Sequence, residues 1–223
     1  MGSADTSNDA PAPLWLRPPP ESMTDGIVTL RRWRASDADG FCHVINSSRA
    51  EFVEWFPWAK DHYGSEKWCE FRERKARGWR EGRTWSYALT RADEPDIVLG
   101  SCDLGLSQGN QGLNVGYWLS TAYLGQGYAT RAAAMLTRSA LEDMGSPFAR
   151  IVHDVANERS ARIPRRLGYV CEGETQPPPG EENPENRPDV AWIKYAVAEG
   201  GAGAQGSGSA LLSPSREESS CPA

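Results

Sequence analysis

The sequence predicts an α+β domain in which helices flank a mixed, mostly antiparallel sheet. Strand and helix patterns alternate in the order β-α-α-β-β-β-α-β-α-β-β. One long amphipathic helix separates two strands near the middle, which predicts a single parallel, helix-crossed step. With 223 residues, 39% of them hydrophobic, the chain can bury one core and leave polar ends outside it.

The two ends are expected to lie outside the domain. Residues 1–23 are polar and rich in Pro and Ala, and residues 199–223 form a Gly/Ser-rich stretch. Segments of this composition bury too little apolar surface to offset the entropy of ordering them. We therefore predict disordered tails at 1–23 and 199–223 around one domain at 24–198.

The first half of the domain is predicted to hold two helices between strands. Apolar and polar residues alternate in Ile27–Arg32, as in a first strand. Ser36 is placed to cap a helix with apolar residues at helical spacing, and Ser65 opens a second helix. The outer face of that second helix is a run of charges, which is typical of a solvated surface. Further strands are expected at 85–90, 97–106 and 113–120.

The second half is predicted to contain the crossover. A helix rich in Ala, Leu and Met runs from Tyr128 to about Asp143, and Gly145 and Pro147 end it. The remaining elements are strands at 150–156, 169–172 and 190–197 and a short helix at 158–167.

Charge and composition exclude several classes of function. The formal net charge is −6, whereas a nucleic-acid surface needs an excess of Lys and Arg. No apolar run reaches the roughly 18–20 residues of a membrane helix. The cysteines and histidines lack metal-ligand spacing, so no metal is expected. An odd, scattered set of five cysteines indicates reduced thiols, hence a cytoplasmic protein.

The stretch Val115–Glu142 is the most informative part of the chain. A strand ends near Ser120, a turn holds Gly125 and Gly127, and a helix follows directly. Glycines allow positive φ, so successive N–H groups can converge at a helix N-terminus that favours phosphate. The lysine of a Walker A loop and the G-x-G-x-x-G fingerprint are both absent. A diphosphate held by backbone alone suits coenzyme A better than ATP, although such a turn can also be only a tight turn.

A second element begins just after the next strand, at NERSARIPRRLGY (157–169). The amide of Asn157 is placed to hold amide groups of a ligand or a neighbouring chain. Ser160 lies one turn into the next helix and faces the same way. The structural alternatives are a helix cap for Asn157 and a polar filler for Ser160.

Together these elements resemble the GNAT superfamily, and more closely its branch of ribosomal-protein N-terminal (serine/alanine) acetyltransferases. The matching stretches fall in the expected order: NSSRAEFVEWFPW (46–58), VGYWL (115–119), GQGYAT (125–130), NERSARIPRRLGY (157–169) and CEG (171–173). The resemblance implies the GNAT acyl-CoA N-acyltransferase fold and acetyl-CoA as the acyl donor. It also implies direct attack of a neutral primary amine on the thioester in a ternary complex.

The resemblance further implies a coenzyme A site. Pantetheine would pair with the backbone of the strand before the glycine turn, and Asn157 would contact the pantetheine arm. The implied residues are Tyr117, Trp118 and Leu119 for pantetheine, and Leu124, Gly125, Gln126, Gly127, Tyr128, Ala129 and Thr130 for the diphosphate. Leu124 replaces an Arg or Gln of the family loop, and Arg131 stands where the branch often has glutamate. Neither change removes a backbone donor.

For the catalytic residues the resemblance leaves alternatives open. Pro164 stands where the superfamily often has a tyrosine acid, and a proline there frees the carbonyl of Ser160. The resemblance to the ribosomal-protein branch, which shares this proline variant, implies Ser160 as the hydrogen-bond donor to the leaving thiolate. The candidate base is Asp103; Glu174, an acidic residue of the following loop or a water chain are the alternatives. Trp58 is expected to line the acceptor pocket, with core packing as its alternative role.

The leading functional hypothesis is acetylation of a protein N-terminal α-amine or of a small-molecule amine. A second hypothesis is self-protection by acetylation of an amine antibiotic. A third is a non-catalytic acyl-CoA-binding regulatory module, since the usual tyrosine is missing and fold alone does not establish catalysis. The expected partner is thus an amine-bearing small molecule or a protein N-terminus, and a homodimer is compatible with the sequence.

Overall fold

A computed structural model describes residues 12–177 and 184–197. Its centre is an eight-stranded sheet in the order β1-β2-β3-β4-β5-β6-β8-β7. The strands are β1 Ser22–Thr24, β2 Val28–Arg32, β3 Thr84–Arg91, β4 Val98–Leu106, β5 Leu113–Leu119, β6 Phe148–Asp154, β7 Val170–Thr175 and β8 Asp189–Tyr195. Neighbouring strands pair antiparallel except for β5 and β6, which are parallel. The predicted fold class and its single parallel step are confirmed.

Four α-helices connect these strands: α1 Ala38–Trp55, α2 Ser65–Glu81, α3 Tyr128–Arg138 and α4 Glu158–Arg166. Single 3-10 turns lie at Ala35–Asp37, Pro57–Lys60, Gln108–Asn110 and Thr121–Tyr123. α3 is the crossover between β5 and β6, and it continues as a wider π-helical turn over Ser139–Asp143. The chain leaves this turn through Gly145 at φ 77°, the stop that the sequence predicts.

The core has two parts because successive side chains of a strand point to opposite faces. The larger cluster joins the sheet to α3, whose Ala132, Ala133 and Leu136 are fully buried. The smaller cluster is aromatic, and it joins Phe41 of α1 to Trp68 and Phe71 of α2. On β5, Tyr117 packs against the larger cluster and Trp118 against the smaller one. Consecutive residues of β5 therefore belong to opposite layers.

The N-terminal boundary differs from the expected one. Residues 12–23 belong to the predicted tail, yet Met23 is buried in β1 and pairs with Leu30 of β2. Trp15 and Leu16 pack against the larger core cluster, and the backbone N–H of Arg17 donates to Met144 at 3.0 Å. Apolar side chains spaced among prolines supply enough buried area to order this segment. Residues 1–11 and 199–223 lie outside the described part of the chain.

The start of α1 also departs from the expected cap at Ser36. Asp37 occupies the N-cap position, with no hydrogen bond from its side chain to the N–H groups of α1. Its carboxylate instead accepts from the Arg31 guanidinium at 2.7 Å and 2.9 Å and from the backbone N–H of Arg34 at 2.7 Å. This buried ion pair fixes the turn that leads from β2 into α1.

Candidate active site

The parallel strands β5 and β6 separate after a short paired stretch. Their register joins only Leu113 to Ala149 and Asn114 to Arg150. On its other side β5 stays paired with β4 as far as Leu119, opposite Gly100. The β6-facing edge of the later part of β5 therefore presents backbone N–H and C=O groups to a V-shaped opening. An extended chain with amide groups could pair with such an edge.

The glycine turn lies at the open end of this V. Gly125 and Gly127 adopt positive φ values of 76° and 80°. A Cβ added at either position would meet nothing within 4 Å. The space in front of Gly125 and Gly127 is therefore open. The positive φ of both residues is a backbone conformation that favours glycine.

The start of α3 supplies donors to this space. The N-cap residue Gly127 has no side chain to cap the helix, and the first helical bond of this turn runs from Arg131 N–H to Gly127 O at 3.0 Å. The first N–H groups of an α-helix have no partner within the helix. The helix dipole adds partial positive charge at the same place. Helix N-termini of this kind favour phosphate groups, and this is the turn where the sequence analysis expects the diphosphate.

Asn157 is the N-cap of α4. Its Oδ1 accepts a hydrogen bond from the backbone N–H of Ser160 at 3.0 Å. The cap that was the structural alternative for Asn157 is therefore present, and it also fixes the orientation of Ser160. Among the described residues, no hydrogen bond involves the Nδ2 amide group, which leaves that donor for another partner.

The hydroxyl of Ser160 contacts a tyrosine that the sequence analysis implicated only through its backbone. Ser160 Oγ lies 3.0 Å from the hydroxyl of Tyr117 on β5, and either oxygen can be the donor. The Tyr117 hydroxyl also lies 3.5 Å from the Ser160 carbonyl oxygen. That carbonyl lacks its usual helical donor, because residue 164 of α4 is a proline. Burial raises the pKa of Tyr117 well above its ordinary value, although the bond with Ser160 acts in the opposite direction.

The signal for this contact was present in the sequence. Strand alternation in VGYWL places Tyr117 on the layer of α3 and α4, and Ser160 lies on the first turn of α4. What the sequence did not reveal is that the tyrosine ring spans the opening between β5 and α4.

Trp58 belongs to an aromatic wall on the opposite layer. It stacks on Phe56 with ring centroids 5.0 Å apart, and lies 6.0 Å from Phe52 and 6.1 Å from Trp118. Trp58 is 36% exposed, so one part of the ring packs and another faces solvent. The packing role considered for Trp58 is therefore present, and the exposed part of the ring is the part that could line a pocket.

Asp103 is not brought together with Ser160. It stands opposite Gly116 on β5, whereas its neighbour Cys102 stands opposite Tyr117, so the carboxylate lies on the α2 layer. There it pairs with Lys75 Nζ at 2.8 Å. A base needs a free lone pair towards the amine, and this ion pair occupies one carboxylate oxygen. Glu174 is exposed on β7, and residues 178–183 of the acidic loop lie outside the described part of the chain.

Two further contacts connect the separated halves of the sheet. Glu51 of α1 forms an ion pair with Arg159 of α4. Arg187, just before β8, holds the buried Asp154 at 2.9 Å, and its guanidinium lies 5.5 Å from the ring of Trp55 at the end of α1. Both contacts fix α1 relative to the β6 half.

Arg131, which stands where the related branch often has glutamate, forms an ion pair with Asp25 at 2.8 Å.

The one buried histidine has both ring nitrogens engaged. The Trp192 indole N–H donates to His153 Nε2 at 2.9 Å, so Nδ1 carries the proton and donates to the Asp154 carbonyl at 2.8 Å. Within residues 12–177 and 184–197, no group of three His, Cys, Asp or Glu side chains is arranged to hold a metal ion. Cys42, Cys69 and Cys102 are free thiols.

A splayed parallel strand pair, a glycine turn at a helix N-terminus and a capped helix across the opening define an acyl-CoA-dependent transferase site. The family described as "Acetyltransferase (GNAT) domain" matches residues 28–170. The chain therefore belongs to the GNAT acetyltransferases, which confirms the predicted family and enzyme class, an acetyl-CoA-dependent N-acetyltransferase.

Known relatives are similar over most of their length. YdaF of Bacillus subtilis (strain 168), provisionally named a ribosomal N-acetyltransferase, is 24% identical over 155 residues, which are 67% of this chain and 81% of YdaF. The structure of RimL, a ribosomal L7/L12 alpha-N-protein acetyltransferase in complex with coenzyme A, has a TM-score of 0.68 at 16% identity, covering 78% of this chain and 97% of RimL. The microcin C7 self-immunity acetyltransferase MccE, in complex with acetyl-CoA and AMP, has a TM-score of 0.68 at 19% identity, covering 77% of this chain and 93% of MccE.

Among the residues that the structure describes, no helix is long and apolar enough to cross a bilayer.

Proposed function

We propose that this enzyme acetylates the α-amino group of a protein N-terminus. The observation that carries the proposal is the opening between β5 and β6, which has a phosphate cradle at one end and an aromatic wall beside it. An extended pantetheine arm and an extended peptide N-terminus can approach each other in such an opening. RimL is named a ribosomal L7/L12 alpha-N-protein acetyltransferase and YdaF is provisionally named a ribosomal N-acetyltransferase, and both names agree with this choice of acceptor.

In the proposed reaction the protein acts mainly by positioning the two reactants, and less by supplying acid–base groups. The N–H groups of the glycine turn hold the diphosphate, and the free edge of β5 pairs with pantetheine. The amine nitrogen attacks the thioester carbon, the C–S bond breaks, and its electron pair leaves with the sulfur as thiolate. Ser160 donates a hydrogen bond to that sulfur. Alignment of the two reactants supplies much of the acceleration.

The amine must lose a proton to become nucleophilic, since the ordinary pKa of a protein α-amino group is about 7.7–8.0 and most of it is protonated at pH 7. We propose that this proton passes to water. The ion pair of Asp103 with Lys75 and its place on the other layer weigh against that carboxylate as the base. If water accepts the proton, no side chain has to lie within hydrogen-bond distance of the amine nitrogen.

The experiment uses acetyl-CoA with a synthetic peptide that begins with serine or alanine, and mass spectrometry detects the acetylated product. Mass spectrometry is preferable to a thiol reagent because Cys69 is exposed and would react with the reagent. We expect product on the peptide α-amine. Ser160→Ala should lower kcat by more than it raises KM for acetyl-CoA, and Trp58→Ala should raise KM for the peptide alone. Coenzyme A binding without acetylation of any amine would instead support the non-catalytic module.

A second candidate function is self-protection against an amine antibiotic, and the likeness to MccE favours it. MccE was solved with AMP as well as acetyl-CoA, so the discriminating probe is an amine linked to AMP, beside aminoglycosides and polyamines. A kcat/KM at least tenfold higher for any of these than for the peptide would replace the first proposal by the second.

A further inference from the structure

We propose that Tyr117 is a positioning residue that acts through Ser160, and that together they stabilise the departing coenzyme A as a hydrogen-bonded thiolate. The inference rests on the proposed function, since it concerns the sulfur side of the same acetyl transfer. Tyr117 was implicated above only through its backbone, as part of the strand edge that pairs with pantetheine.

The distances favour one of the two possible directions of the hydrogen bond between Tyr117 and Ser160. The Tyr117 hydroxyl has one proton, and its two acceptors are Ser160 Oγ at 3.0 Å and the Ser160 carbonyl at 3.5 Å. The shorter contact favours donation to Oγ. When Tyr117 donates to Oγ, the Ser160 hydroxyl proton is not used in the bond with Tyr117. It can then point into the opening between β5 and β6.

Three features hold this pair in place. Asn157 Oδ1 fixes the backbone N–H of Ser160 at 3.0 Å. Pro164 lacks the N–H that would otherwise bond to the Ser160 carbonyl, so the tyrosine hydroxyl can lie beside that oxygen. The Tyr117 ring packs against the larger core cluster, which limits its rotation. The pair is thus oriented before substrate arrives, which is the condition for electrostatic stabilisation of developing charge.

The pKa values of tyrosine and of a thiol decide whether Tyr117 transfers its proton to the departing sulfur through Ser160 or only supports a hydrogen bond to it. A thiol has an ordinary pKa of about 8.5 and a tyrosine about 10. Burial raises the pKa of Tyr117 further, so moving its proton to the thiolate through Ser160 would be uphill. The sulfur therefore leaves with its electron pair, is held by the Ser160 hydroxyl, and takes its proton from water after release.

The test compares Tyr117→Phe, Ser160→Ala and the double variant with the wild-type enzyme, using acetyl-CoA and the serine peptide. Tyr117→Phe keeps the ring and removes one hydroxyl, so we expect kcat to fall about tenfold, the scale of one hydrogen bond, while KM for acetyl-CoA stays within about twofold. If Tyr117 acts through Ser160, the double variant is no slower than Ser160→Ala alone. The matched control is Tyr169→Phe, which removes another buried tyrosine hydroxyl, bonded to Thr137 at 2.7 Å, and should leave kcat unchanged.

A second measurement does not depend on the acceptor. The thiolate of coenzyme A absorbs in the ultraviolet, so the pKa of the bound thiol can be titrated in the binary complex. We expect a pKa below about 8.5 in the wild-type enzyme and a return toward that value in both Tyr117→Phe and Ser160→Ala. An identical titration in all three proteins overturns the inference, as do kcat losses that multiply in the double variant. A wild-type enzyme that acetylates no amine, yet shows the shifted thiol pKa, would refute the proposed function and leave the inference standing.

Discussion

The glycine turn offers the sharpest prediction, because the structure contains a matched pair of positions. Gly127 at φ 80° begins α3, and Gly82 at φ 64° ends α2. A Cβ at either position would meet nothing within 4 Å. Replacement by alanine therefore has the same physical cost at both sites, namely the left-handed backbone conformation, which costs an L-residue about 1–2 kcal/mol. For a domain of this size, that corresponds to a lower Tm by about 2–8 °C in both variants.

Coenzyme A binding should separate the two variants. Only Gly127 lies at the start of a helix, next to the N–H groups of α3 that have no partner within the helix, whereas Gly82 lies at the C-terminal end of α2. Loss of one hydrogen bond to a charged phosphate costs about 1.5–3 kcal/mol, which is about a 10- to 150-fold weaker Kd. Calorimetric titration with coenzyme A should show this loss for Gly127→Ala and wild-type affinity for Gly82→Ala. An unchanged Kd for Gly127→Ala, or equal losses in both variants, would refute the assignment of the diphosphate to this turn.

Two further substitutions test side chains whose roles follow from their ion pairs. Asp103→Asn should reduce kcat by less than about threefold, because Asp103 already pairs with Lys75; a loss of about 100-fold or more, the scale of general base catalysis, would restore Asp103 as the base. Arg31→Met should lower the free energy of unfolding by about 3–5 kcal/mol, since it leaves the buried carboxylate of Asp37 without its cation. Urea unfolding measures this loss, and the kcat of the variant at low temperature should match the wild-type value. A destabilisation below about 1 kcal/mol would mean that the pair is screened by solvent.

Much of the fold was predictable because its signals are local. The 3.6-residue pattern of α3, the glycine stop after it and the alternation in β2 each depend on neighbours in sequence. The glycine turn before α3 was predictable for the same reason, since Gly125, Gly127 and the first turn of α3 lie within a few residues of one another. A backbone site of this kind needs no contact between distant segments.

The unpredicted features depend on contacts between segments far apart in sequence. Lys75 belongs to a charge run that the sequence assigns to a solvated face, yet the packing of α2 on β3 brings it to Asp103 on the neighbouring strand β4. The hydrogen bond between Tyr117 and Ser160 requires the separation of β5 from β6, which no local pattern encodes. Trp15 is similar, because it packs against the larger core cluster, whose residues lie far from it in sequence. Periodicity shows which face of an element is apolar, but not which element covers it.

His153 shows how such a nonlocal contact becomes measurable as a pH dependence. The Nε2 atom of His153 accepts a hydrogen bond from the Trp192 indole N–H. If the ring were protonated, Nε2 would carry a hydrogen of its own, and two N–H donors would face each other. Burial accordingly lowers the pKa of His153 in the folded protein, whereas the unfolded chain takes up the proton near pH 6.5. Stability is therefore complete above about pH 6.5 and falls as the pH drops below it, with a slope of at most about 1.4 kcal/mol per pH unit for one proton. Urea unfolding between about pH 7.5 and 5.5, on either side of the ordinary histidine pKa, should give a shallower slope for His153→Gln than for the wild-type protein. Equal slopes in the two proteins would mean that His153 is protonated as easily in the folded chain as in the unfolded one.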